Sequence, residues 1–80
     1  MTSGPSEAQY KAVEDDADVY IQSNGRKKSR VLNSMIRIHR ARIEAYCGDG
    51  AADRFQEMDI VVAISNHKEL IACPAMTGPR

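Results

Sequence analysis

Three features of the sequence predict an all-α fold, a small three-helix domain with helices over about residues 7–23, 27–46 and 51–65. Apolar residues recur at spacings of three and four in three successive segments, as amphipathic helices require. Asn24-Gly25 and Gly48-Asp49-Gly50 separate those segments, at points where glycine can take the left-handed conformation that ends a helix. The run Met58-Asp59-Ile60-Val61-Val62-Ala63-Ile64 is the longest nearly apolar stretch, with Asp59 its one polar member. In a chain of 80 residues such a run must be covered on more than one side. Residues 1–5 read as a flexible lead-in, 6–73 as one helical domain and 74–80 as a loose tail.

The first helix opens on Ser6-Glu7-Ala8-Gln9, a capping box in which Ser serves the amide three residues on and Gln reaches back. Tyr10, Val13, Ala17, Tyr20 and Ile21 make its apolar stripe, and Glu14, Asp15, Asp16 and Asp18 occupy the other faces. Arg26-Lys27-Lys28 suits the end of a helix better than the start of the next one. A helix running through Gly25 at a cost of about 1 kcal/mol is therefore the competitor to a break there, and the break is preferred.

The second helix gathers Val31, Leu32, Met35, Ile36, Ile38, Ile43, Tyr46 and Cys47 on one broad face and Arg26, Arg30, Asn33, Arg37, Arg40 and Glu44 on the other. Arg42 lies near the apolar edge, where a cation needs a carboxylate or a route to water. An acid of the first helix is its expected partner. In the third helix Asp49 is the expected N-cap, Ala52, Phe55, Met58 and Val62 form a stripe, and Ile60, Val61 and Ile64 point elsewhere. Phe55, Met58, Val61 and Val62 are the expected core or subunit interface. A competing α+β reading makes a β-hairpin of residues 60–73, with Asn66-His67-Lys68 as its turn. Continuity with the stripe from Ala52 favours helix. The expected packing sets the second helix antiparallel to the third, with the first laid across both.

The net charge of zero conceals an asymmetry: residues 1–25 carry −4 and residues 26–47 carry +6. Internal or intersubunit pairing is the first reading of such blocks, an external polyanion the second. No apolar run approaches the roughly 20 residues of a membrane span. Met1-Thr-Ser-Gly-Pro-Ser-Glu has neither the basic nor the apolar region of a secretory signal. Two cysteines, Cys47 and Cys73, are too few for a disulfide framework, so a cytoplasmic protein with reduced thiols is expected.

His39, Cys47, His67 and Cys73 lack the paired spacing of a zinc site, so no metal and no cofactor are expected. Cys73 with His67 has no third group to orient it, Asp15 and Asp16 point to different faces, and Gly48-Asp49-Gly50 lacks the rest of a phosphate-loop fingerprint. No catalytic residues are assigned and no enzymatic activity is expected. The functional expectation is a small regulator or inhibitor that binds an acidic protein partner stoichiometrically through Arg26, Arg30, Asn33, Arg37 and Arg40. A thin core of few aromatics also predicts a homodimer formed through the apolar surplus of the third helix. The alternative is nucleic-acid binding by the same basic helix, against which stand the zero net charge and the lack of interleaved aromatics. A motif-free profile of this kind also suits short accessory proteins of phages or mobile elements.

Overall fold

The computed structural model describes residues 4–70. It contains three α-helices, α1 (Glu7–Gln22), α2 (Arg30–Cys47) and α3 (Glu57–Ser65), with a short 3₁₀ turn, Ala51–Arg54, between the last two. No strand occurs among the described residues. The hairpin reading of 60–73 therefore fails where it can be examined, and residues 71–73 lie outside the described range.

The capping box forms as the sequence predicts. Ser6 Oγ accepts from the Gln9 amide at 3.3 Å and Gln9 Oε1 accepts from the Ser6 amide at 2.8 Å. At the other end Asn24 (φ 58°) and Gly25 (φ 86°) are both left-handed. The Gly25 amide reaches Tyr20 O at 2.8 Å and the Asn24 amide reaches Ile21 O at 3.1 Å, the paired bonds of a Schellman cap. A Cβ at Gly25 would also sit 3.4 Å from the Tyr20 hydroxyl. The break is thus set by backbone conformation and by the ring packed against it.

The second helix starts later than the sequence suggests. Ser29 is its N-cap, accepting from the Leu32 amide at 3.0 Å, so Arg26-Lys27-Lys28 stay in the connection, clear of the helix-dipole conflict. The third helix is shorter than expected. Gly50 (φ 80°) leads into the 3₁₀ turn, Phe55 and Gln56 are extended, and α3 begins only at Glu57. Asp49 is therefore not its N-cap; Gln56 is, without a side-chain bond. Glu57 and Asp59 in the first turn complement the dipole instead.

The interruption has a topological cause. Tyr10 meets His39 and Asp16 meets Ser29, so α1 and α2 run antiparallel. Glu14 meets His67 and Tyr20 meets Glu57, so α1 and α3 are antiparallel as well. Lys28 pairs with Glu57, and Arg42 with Glu69 just beyond α3. Hence α2 and α3 run parallel, which corrects the antiparallel arrangement expected from the short connection. Residues 48–56 must carry the chain back along α2 before α3 can start, and the Arg40–Asp53 contact marks that return. The most extensive helix packing is between α1 and α3, so α1 is an integral layer rather than a cover.

The core comprises Tyr10, Val13, Ala17 and Tyr20 of α1, Leu32, Met35, Ile36 and Ile43 of α2, Ala51 and Ala52, and Ile60, Val61 and Ile64 of α3. Each fully buried aliphatic side chain here contributes about 1.5–3 kcal/mol. The buried face of α3 is thus formed by Ile60, Val61 and Ile64 rather than by the stripe of Phe55, Met58 and Val62. Val61 is 0 % exposed as expected, but Val62 is 41 % exposed, and Phe55 and Met58 are half-buried. Val31, Ile38 and Tyr46 also lie outside, at 53 %, 41 % and 43 %. The reason is geometric: the buried arc of α2 centres on Leu32, Ile36, His39 and Ile43, and α1 covers the flank that carries Val31 and Ile38 only in part.

Candidate protein-docking face

The basic residues singled out from the sequence separate into two groups. Arg26 and Lys27 project from the connection, and Arg30 and Arg37 stand two turns apart on the outer side of α2; all are exposed. None of these four makes an ion pair among the described residues. Arg40 is half-buried and bonded to Asp53 at 2.7 Å, and Asn33 is half-buried beside it. Lys28, itself exposed, is paired with Glu57 at 3.1 Å. The exposed part of the face is therefore Arg26, Arg30 and Arg37, with Arg40 and Asn33 on its margin.

The acids of α1 do not neutralise this face. Asp16 accepts from Ser29 Oγ at 2.9 Å and Asp18 from Ser65 Oγ at 3.2 Å, while Glu7 and Glu14 both turn to His67. Arg42 is paired with Glu69 and lies 5.5 Å from the centre of the Tyr46 ring. Its expected partner on α1 is thus replaced by an acid after α3, which the parallel course of α2 and α3 brings alongside the end of α2.

Beside the basic residues runs a shallow trough along the α1/α2 seam. Its apolar part, about 160 Å³, is lined by Gln9, Ala12, Val13, Val31, Ser34, Met35 and Ile38. Farther along α1, towards the connection, a second cleft of about 420 Å³ is bordered by Asp16, Val19, Arg26, Lys27, Lys28 and Ser29. A separate hollow lies at α3, between Phe55, Asp59, Val62, Ala63 and Leu70.

Sequence reasoning missed a polar cluster where α1 meets the end of α3. His67 stacks on Tyr10, ring centres 5.5 Å apart, and Tyr10 meets His39 edge-on at 5.8 Å. His67 Nδ1 faces Glu7 and its Nε2 faces Glu14 Oε2 at 2.7 Å. Both ring nitrogens facing carboxylates require both to donate, which only the imidazolium does. The bond to Glu14, then that to Glu7, accordingly raises the His67 pKa. His67 also holds φ 57° as the left-handed residue of a second Schellman cap, its amide bonded to Ile64 O and that of Lys68 to Ala63 O. A non-glycine residue there costs roughly 1 kcal/mol, so the side chain's contacts explain its presence.

His39 is the opposite case. It is 1 % exposed, and its Nδ1 has no partner. Burial pushes its pKa down, so the ring is neutral at pH 7. The signal was legible: His39 sits three residues after Ile36 and four before Ile43, at core spacing. His67 gave no such signal, since both its partners lie more than fifty residues away in sequence.

At the other end of the domain Tyr20 donates to Glu57 Oε1 at 2.7 Å. Burial and this bond push the Tyr20 phenol up to about 12. The same bond, with Lys28 beside it, holds the Glu57 carboxyl below its usual value.

Among the described residues no group of three or more His, Cys, Asp or Glu side chains could hold a metal ion, and no helix is long and apolar enough to cross a membrane. Cys47 is disulfide-bonded, which overturns the expectation of a free thiol there. Comparison with protein-family models, curated proteins and solved structures found no match for the chain.

Proposed function

We propose that this chain is a small non-enzymatic binding protein that regulates or inhibits a partner stoichiometrically, meeting an acidic protein surface through Arg26, Arg30 and Arg37. The observation that carries this reading is the unneutralised cation set. Exposed arginines two turns apart remain without ion pairs among the described residues, although five acids lie within the first 25 residues. Glu7, Glu14, Asp16 and Asp18 have other partners, and Lys28, Arg40 and Arg42 are paired with acids beyond α2, which leaves Arg26, Arg30 and Arg37 without ion pairs among the described residues. Arginine suits such a role because its planar fork meets carboxylates in a bidentate manner.

The test is charge reversal. Arg30→Glu with Arg37→Glu should leave the melting temperature within a few degrees, since both residues are exposed, and should abolish one stoichiometric complex. Retention of that complex at unchanged affinity removes the proposal. A second reading, phosphate binding by nucleic acid, draws on the adjacent Arg26-Lys27-Lys28. It predicts affinity falling linearly in log–log form with salt, whereas a protein complex shows a weaker dependence. The expected homodimer has a narrower basis than the sequence suggests: with Ile60, Val61 and Ile64 covered within the chain, a second copy would dock at Phe55, Val62 and Leu70. As to location, a disulfide at Cys47 favours an oxidising setting over the reducing cytoplasm.

A further inference from the structure

We infer that the trough along the α1/α2 seam is the seat of an acidic amphipathic helix supplied by the partner protein. This rests on the basic-face reading above and adds where the partner lies and what secondary structure it brings.

The walls of the trough are two antiparallel helices. Gln9, Ala12, Asp16 and Val19 follow one another along α1 at helical spacing, and Ile38, Ser34 and Val31 descend the facing side of α2. From Gln9 to Val19 the wall rises about 15 Å, which is the length of roughly three helical turns. Val31 and Ile38 are seven residues apart and among the most exposed large apolar side chains of the domain. A partner helix meets such a pair with its own apolar residues at i, i+3 or i+4, and i+7. Arg30 and Arg37 have the same seven-residue spacing. Between the two stripes lie Ser34 and Ala41, both exposed and small, so the crest is low and the arginines can reach over it to a docked helix. Asp16, the one acid on the wall, is engaged by Ser29 Oγ at 2.9 Å.

Other occupants fit less well. The described residues present no strand edge for an extended peptide to join. A second copy carries an acidic amphipathic helix, its own α1, but Tyr10, Val13, Ala17 and Tyr20 are buried in its own core. It could offer that stripe only by unfolding.

The probe is a fluorescently labelled peptide of about four turns, with leucine at i, i+3 and i+7 and glutamate on one flank. A control carries lysine in place of glutamate. Saturable binding of the acidic peptide, weakened about tenfold by Ile38→Ser and by Arg37→Glu, supports the inference. Amide shift changes confined to residues 9–19 and 26–38 support it as well. Sensitivity to Arg37→Glu without sensitivity to Ile38→Ser overturns the trough while leaving the basic-face reading intact. Equal binding of the lysine control overturns it too, and so does a lack of any saturable binding. A dimer in sedimentation that Ile38→Ser dissociates assigns the trough to a second copy and overturns the proposed occupant. Because Ile38 is exposed, a variant that fails to fold is not expected; Val31→Ser supplies an independent substitution on the same wall.

Discussion

Adjacent valines on α3 provide a sharp test of how the helix is oriented. Val61 is 0 % exposed and Val62 is 41 % exposed, so the same chemical change should have very different consequences one residue apart. Val→Ala removes two methyl-sized groups, about 0.8 kcal/mol each by transfer, and in a packed site a cavity term adds to this. Alanine's better helix propensity returns about 0.5 kcal/mol. For Val61→Ala the net loss is then about 1.5–2.5 kcal/mol. For Val62→Ala the small lost contact and the propensity gain nearly cancel, leaving a change within about 0.5 kcal/mol. With a urea m-value of about 1 kcal/mol/M for so small a domain, Val61→Ala should lower the midpoint by about 1.5–2.5 M and Val62→Ala by less than about 0.5 M. Far-UV circular dichroism in urea reads both. If Val62→Ala costs as much as Val61→Ala, the assignment of the buried face is wrong and the hollow at Phe55, Val62 and Leu70 is not a surface.

The two histidines predict stability that peaks near pH 6.5. His67 has a raised folded pKa, so its contribution is complete below its ordinary 6.5 and is lost as pH rises through the folded value. His39 has a lowered one, so its contribution is complete above 6.5 and is lost as pH falls through the folded value. Melting temperatures between about pH 5 and 8.5 should therefore fall on both sides. His67→Gln should flatten the alkaline limb alone and His39→Leu the acid limb alone; an alkaline limb unchanged in His67→Gln would sink the clamp. Because His67 occupies a left-handed cap position, His67→Gly should be more stable than His67→Ala, by roughly 1 kcal/mol, as chemical denaturation can show. Tyr20→Phe deletes the bond to Glu57 and should cost about 1 kcal/mol, a charged hydrogen bond discounted for partial exposure. The same substitution should remove the tyrosine that titrates near 12 from the ultraviolet pH titration. Finally, thiol reagent should find Cys47 unreactive in the folded protein until a reductant is added, and prompt labelling without reductant would contradict its disulfide state.

Local signals in the chain were strong wherever a backbone rule decided the matter. Ser6 and Gln9 announce the first N-cap, Asn24-Gly25 the first stop, and Tyr10, Val13, Ala17 and Tyr20 the stripe that becomes one wall of the core. The basic residues of the second helix were equally legible, since a run of arginines on one arc cannot be buried without partners. Where the reading erred, the information was not local. Periodicity located apolar residues on α3 but could not choose between the Val62 side and the Ile60, Val61 and Ile64 side, because both are apolar and only the position of α1 decides which is covered. The return of residues 48–56 along α2 made the last two helices parallel and shortened α3. It also moved the partner of Arg42 from α1 to Glu69. The His67 clamp joins residues more than fifty positions apart, and no spacing rule spans that distance. Sequence alone therefore determined the three helical segments, the caps of the first helix and the charge of their faces, because these depend on bonds and side chains within a few residues. Tertiary structure alone decided which arginines stay free, which apolar residues form the trough and which histidine is charged, because each depends on what a distant segment brings alongside.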